Sequence, residues 1–452
     1  MNYDLLIRNG TIVNPITGLA EADIGVRDGK VAAVLSKGEV AEGTEVIDAA
    51  GKIVFPGVID PHLHIGLGNG MEDWKTETRS AVIGGVTTGW NYLISGGSYF
   101  PVIEENRAAA REHSYIDWGF HLVPSAPVHL EEMAEYRRRC GIRSFKYFTS
   151  YRGDEGAYLG VEGTDDGFMW RYFEEVVDLG DAVACVHPEN IEIVWELRKK
   201  LQEADRHDLK AWRESRPQVV EAQAAHSVAL YAQEVGCPVY IVHISGGMVL
   251  DELMSIKERY DNAPVYIETC PHYLTHTSDD DIGPMGKVNP PLRTHDDIED
   301  LWEGIENGLV DTVGSDHNSR KREKKTGSIW KASAGFPGTG TILPVLLSEG
   351  VHRRGLSLER VAEITSLNPA RIFGAFPKKG TIFAGSDADF TIVDLDKEQT
   401  VTADLYQGNS DYSLYEGWKL KGWPVATIIR GQLVMRDGEI VAQPGGREVF
   451  QD

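Results

Sequence analysis

Eight short apolar runs alternate with longer amphipathic segments through the middle of the chain, and this alternation constrains the fold more than any other feature. The runs are Val54–His64, Thr87–Ile94, Trp118–Val123, Arg143–Tyr151, Ala182–His187, Val239–Ile244, Val265–Tyr273 and Asp311–Asp316. Amphipathic segments such as Trp170–Leu179, Val219–Val235, Met248–Arg259 and His295–Glu306 fall between or after them. Strands alternating with helices predict βα units and a parallel sheet. Eight of them over about 300 residues predict an α/β chain closed into a TIM-type (β/α)8 barrel rather than an open sheet. A further helical insert near Ile193–Ala204 is tolerable on such a scaffold.

The two ends have a different texture. Leu5–Arg8, Thr11–Val13, Asp23–Val26 and Lys30–Val34 read as strands, with Arg27-Asp28-Gly29-Lys30 as a hairpin turn. The texture returns in Asp389–Val393, Val425–Arg430 and Gln432–Arg436, and Arg436-Asp437-Gly438-Glu439 repeats the Asp-Gly turn. Neither end has enough strands to bury a face alone. The expected organisation is a small β-sandwich domain from residues 1–55 and 378–452 around a barrel of residues 56–377.

Composition narrows the function. A formal charge of −24 excludes the basic surface that nucleic acid or an anionic membrane needs. The basic cluster Arg320-Lys321-Arg322-Glu323-Lys324-Lys325 reads as a solvated loop. Cys140, Cys185, Cys237 and Cys270 have no CxxC spacing, so neither a disulfide framework nor a thiolate zinc site is expected. The start lacks the pattern of a signal peptide and no apolar run is long enough for a membrane span, so a cytoplasmic location is expected.

The chemistry gathers at the C-terminal ends of the predicted strands. The first ends in Asp60-Pro61-His62-Leu63-His64, and because side chains alternate along a strand the two imidazoles share a face. The fifth ends in His187, the sixth in His243 and the eighth in Asp316, while the fourth carries Lys146 in an apolar run. Singly each has a bland reading: a hydrogen-bonded histidine, a snorkelling lysine, a helix N-cap at Asp316. Together they fall on the one barrel face where such enzymes keep their catalysis, which points to a metal site. An ammonium has no lone pair for a metal, but addition of carbon dioxide to the Lys146 amine gives a carbamate whose two oxygens can bridge two cations. Nitrogen and oxygen donors suit zinc, with manganese, iron or cobalt also possible. Two metals sharing a water would give a hydroxide nucleophile, and Asp316 would carry its proton to a leaving nitrogen. Hydrolysis of a carbon–nitrogen bond is the expected reaction.

The chain resembles the cyclic amidohydrolases of the hydantoinase/dihydropyrimidinase branch over nearly its whole length. The resemblance rests on Gly57 to His64, Gly84-Gly85-Val86-Thr87-Thr88, Ser144-Phe145-Lys146, His187-Pro188-Glu189, Val242-His243-Ile244-Ser245, Gly314-Ser315-Asp316-His317, Asn289-Pro290-Pro291-Leu292-Arg293 and Asp411 to Gly417. It implies that His62, His64 and Asp316 bind the more buried metal, that His187 and His243 bind the other, and that carboxylated Lys146 bridges them. It also implies Tyr151 as a hydrogen-bond donor to the substrate carbonyl, substrate contacts at Asn289 and Gly338, and a homo-oligomer, tetramer or dimer. Asn289 stands where the branch often has serine and Gly338 where it has asparagine. Residues Gly335–Leu346 look more like dihydroorotase or allantoinase sequences, and the loop Ile65 to Trp74 is glycine-rich where hydantoinases place bulkier apolar residues. Gly66 stands where dihydroorotase has a carboxylate-binding arginine, and Arg152 is the other candidate for an anion contact.

The expected substrate is a small cyclic amide or ureide of hydantoin or dihydropyrimidine type. An allantoinase-like or linear-amide hydrolase is the alternative. A non-catalytic scaffold on the same fold would leave the filled set of ligand positions without a purpose.

Overall fold

The computed structural model describes residues 2–161 and 163–449, the side chains of 154, 158 and 159 excepted. Residues 1 and 450–452 of the two terminal stretches lie outside it. Eight strands form the barrel: β1 (Val58–Leu63), β2 (Val86–Leu93), β3 (Asp117–Leu122), β4 (Ser144–Phe148), β5 (Val183–His187), β6 (Val239–Ile241), β7 (Val265–Thr269) and β8 (Thr312–Val313). Each pairs in parallel with the next, in chain order. Leu63 and His317 make a parallel bridge beyond β8, and the His64 N–H donates to the His317 carbonyl at 2.9 Å. The ring therefore closes between the end of β1 and the residues that follow β8.

The inward faces follow the period of two that strands impose. Trp90 and Tyr92 of β2, Val183 and Cys185 of β5, and Tyr240 with Val242 at β6 pack into one buried cluster with Phe373. All four cysteines are buried and free. The helices Asp166–Asp178, Gln218–Val235, Gly247–Arg259 and His295–Glu306 flank the strands, and the insert forms a helix over Ile191–Glu203. Among the described residues no helix is long and apolar enough to cross a membrane.

The chain ends meet in a second sheet of ten strands. Phe390–Thr400 pairs antiparallel with Ile53–Pro56, joining the C-terminal strands to the N-terminal ones. Gly18–Arg27 pairs with Thr11–Asn14 through its first half and with Asn2–Arg8 through its second, carrying the sheet around a corner. Leu5, Ile24 and Val54 share one apolar core with Phe390 and Ile428. Both Asp-Gly turns close hairpins with two successive positive φ values, 53° and 73° at Asp28-Gly29 and 52° and 88° at Asp437-Gly438, as a type I′ turn requires.

Two expectations are corrected. Val54–His64 is not one strand but two in different sheets, Ile53–Pro56 and β1, separated at Gly57. A Cβ on Gly57 would lie 2.2 Å from the Thr87 hydroxyl oxygen, so the crossing between sheets needs glycine there. The basic cluster is not a wholly solvated loop either. Lys325 is 1% exposed and its ammonium donates to the carbonyls of Lys287, Ser333 and Gly335 at 2.9–3.0 Å.

Candidate metal centre

At the C-terminal end of the barrel, β1 presents His62, β4 Lys146 and β5 His187, with His64, His243 and Asp316 just past β1, β6 and β8. Lys146 and His187 continue the inward parity of their strands. Asp316 keeps the inward parity of Thr312 and Gly314, whereas His243 is out of step with the inward Tyr240 and Val242; both adopt left-handed backbone, φ 43° and 49°. Such conformations are costly for residues other than glycine and collect at functional sites. Asp316 caps no helix.

The six side chains form two groups joined through Lys146. His62 Nε2 and His64 Nε2 lie 3.3 and 3.1 Å from the same Asp316 Oδ1. The Lys146 Nζ stands 2.8 Å from His62 Nε2. On the other side His187 Nδ1 faces His243 Nε2 at 2.9 Å. Further partners fix which ring nitrogens are free. His62 uses Nδ1 on Glu268, at 2.7 Å, and His187 uses Nε2 on Glu189, at 2.9 Å. Those contacts take the N–H of each ring, leaving lone pairs at His62 Nε2 and His187 Nδ1. Lone pairs and a carboxylate oxygen thus converge with too few protons among them, an arrangement that divalent cations satisfy. The His64 and His243 Nδ1 atoms are buried with no hydrogen-bond partner among the described residues. The donor set fits two metals of the zinc type.

The electrostatics agree. Burial, then the nearby Lys146, pushes the His62 pKa well below its usual value, and burial with His187 does the same at His243. At Asp316 burial opposes ionisation, but His62, His64 and His243 outweigh it and hold the carboxyl well below the usual range. Burial lowers Lys146 to about 8, bringing the free amine, the form carbon dioxide adds to, within reach of neutral pH.

Sequence reasoning missed the groups behind the histidines. Glu268 is wholly buried on β7, where it accepts from the Tyr240 hydroxyl at 2.7 Å and the His243 N–H at 2.9 Å besides holding His62. Burial raises its carboxyl to about 7. Glu189 is pinned by Arg216 at 2.8 Å. Burial opposes its ionisation, but Arg216 and His187 prevail and hold it at about 2. The available signal was a lone glutamate in the apolar run Val265-Tyr266-Ile267-Glu268-Thr269.

Tyr151 and Asn289 line the cavity above Lys146 and Asp316, together with Leu67, Asn318 and Arg320. Burial pushes the Tyr151 hydroxyl up to about 12, so it remains a donor at neutral pH. Gly338 is not among the residues lining this cavity. It sits behind it, donating its N–H to His317 Nδ1 at 3.0 Å, and lines a separate pocket with Glu77 and Tyr412. Arg152 forms an ion pair with Glu192.

A profile of the family described as "Amidohydrolase family" matches residues 194–434. The chain is 34% identical to an L-hydantoinase of Paenarthrobacter aurescens, covering 98% of this chain and 97% of that one. It is 36% identical to an allantoinase of Rubrobacter xylanophilus, covering 99% and 97%. Among solved structures, the L-hydantoinase (dihydropyrimidinase) from Arthrobacter aurescens superposes with a TM-score of 0.92 at 33% identity, covering 99% of both chains. With matches of this extent joining a barrel of this form, the chain belongs to the amidohydrolase family, alongside the hydantoinases and allantoinases.

Proposed function

We propose that this chain hydrolyses the amide bond of a cyclic amide or ureide, of hydantoin or dihydropyrimidine type. The observation that carries the reading is the convergence of His62, His64 and Asp316 on one side of Lys146 and of His187 and His243 on the other, beneath a small cavity. In this reading those five residues, with a carbamate formed on Lys146, would hold two divalent cations, zinc first. Bound there, the cations would lower the pKa of water toward neutrality and polarise the carbonyl under attack.

The rest of the chemistry falls to the chain itself. The Asp316 carboxylate, kept ionised by its histidine neighbours, takes the proton of the attacking water and delivers it to the ring nitrogen. A carbon–oxygen bond forms, the carbon–nitrogen bond breaks, and the proton ends on the leaving nitrogen. The Tyr151 hydroxyl donates to the carbonyl oxygen as negative charge grows on it. Glu268 and Glu189 hold the rings of His62 and His187 in orientation.

Allantoin is the second reading, supported by the allantoinase relatives and by the Gly335–Leu346 segment. The test is ring opening of hydantoin, dihydrouracil, allantoin and succinimide by zinc- or manganese-loaded protein, with metal per chain counted on the same sample. Turnover of hydantoin or dihydrouracil with about two metals per chain supports the first reading, and turnover of allantoin alone selects the second. Two metals with no ring opened overturns both.

A further inference from the structure

Asn318 lies two residues past Asp316 and lines the same cavity as Lys146, Asp316 and Tyr151. Its surroundings hold it stiffly. The Asn318 N–H donates to the Phe336 carbonyl at 3.1 Å. Behind its side chain stands Gly335, at φ 84°, where a Cβ would come within 3.1 Å of Asn318 Cβ and 3.3 Å of Nδ2. Gly335 is itself fixed at both ends of its peptide units. Its N–H donates to the Lys287 carbonyl at 3.0 Å and its carbonyl accepts from Lys325 at 2.9 Å. The Lys325 ammonium also donates to Lys287 and Ser333, so its three protons meet three carbonyls and tie together the two loops that wall the cavity.

Against this rigid backing the Asn318 Oδ1 is buried and accepts no hydrogen bond among the described residues. Native proteins seldom leave a buried amide oxygen without a donor, and one that lies at a cavity calls for a partner from outside the chain. A cyclic ureide carries a suitable donor, because its ring has a second N–H besides the one in the bond that breaks.

We propose that Asn318 is a substrate-recognition residue that accepts the ring N–H remote from the scissile bond, and so selects ureides over plain imides. The inference rests on the ring-opening reading above. Hydantoin and succinimide test it directly: both are five-membered rings with the same imide group, and succinimide has a methylene where hydantoin has the remote N–H.

Asn318→Leu keeps the side chain's size and removes its amide, and Asn318→Ala is the control for shape. The measurement is kcat and KM for both rings, with metal per chain. Loss of one neutral hydrogen bond predicts that kcat/KM for hydantoin falls about tenfold, chiefly through KM, while succinimide stays within about twofold. Metal content stays at the wild-type value. An equal fall for both rings, or no fall for hydantoin, overturns the assignment. If the wild type opens neither ring, the ring-opening reading fails separately, and calorimetric Kd values on the metal-loaded proteins read the contact instead. About tenfold weaker hydantoin binding by Asn318→Leu supports it. Unchanged Kd, or no hydantoin binding by the wild type, overturns it.

Discussion

Lys379 lies at the end of the barrel opposite the candidate metal centre, and its replacement by methionine gives a stability prediction that can be worked through. Its ammonium stands 2.7 Å from Asp117, 2.5 Å from Asp389 and 3.3 Å from Asp387. All four residues are buried. Asp117 opens β3, whereas Asp387 and Asp389 lead into Phe390–Thr400, so one charge ties the barrel floor to the terminal sheet. The three carboxylates are grouped closely enough to hold a metal ion, and Lys379 supplies the positive charge instead. At an effective dielectric of about 20, each contact carries roughly 5–7 kcal/mol of Coulomb attraction. Desolvation of the ions offsets most of this, but removing the ammonium alone leaves the carboxylates facing one another, at about 3–5 kcal/mol. Arg430 also pairs with Asp117 and Lys30 with Asp387, which places the expected loss for Lys379→Met at the lower end, about 3 kcal/mol. Urea unfolding followed by tryptophan fluorescence measures it, with ring opening per folded molecule expected to stay at the wild-type rate. Adding Asp389→Asn removes one uncompensated charge and should recover part of the loss. A loss below about 1 kcal/mol, the level of an exposed pair, or a double variant no more stable than the single one, would refute the reasoning.

Three further outcomes are expected. Lys146→Ala should lose metal and activity together, with partial rescue by short carboxylic acids; a variant keeping both metals and full turnover would remove the bridging role. Tyr151→Phe should lower kcat by about 10²–10³ with little change in KM, the usual effect of deleting an oxyanion donor, and steady-state kinetics would show it. Glu189 has a folded-state pKa of about 2 against an ordinary 4.5, so its contribution to stability is present above pH 4.5 and is lost as pH falls toward 2. Urea midpoints should therefore decline more steeply between pH 4.5 and pH 3 in the wild type than in Glu189→Gln, and parallel declines would count against the Arg216 pairing.

The barrel was legible because its signals are local. A strand that buries one or both faces writes its period into consecutive residues, and the predicted runs differ from β2, β3 and β5 by one residue at most ends. The runs read too long at β4, β6, β7 and β8, where single backbone hydrogen bonds to the neighbouring strand, such as Thr149 to His187 and Gly314 to Thr269, continue past the regular ladder. The Asp-Gly hairpins were equally readable, since an Asp-Gly pair is among the few that accept two positive φ values cheaply.

Sequence alone thus determined the alternation, the turns and which strand ends carry histidine, lysine and aspartate, all properties of neighbours along the chain. Only the tertiary structure decided what those residues meet. Glu268 reaches His62 across 206 positions, and Lys325 reaches Lys287 across 38. His243, out of step with the inward residues of β6, joins the site where the backbone turns left-handed, and Gly57 is a seam because Thr87 of another strand fills the space a side chain would need. Such encounters depend on barrel closure, which brings strand ends together whatever their separation in sequence, and no local period records them.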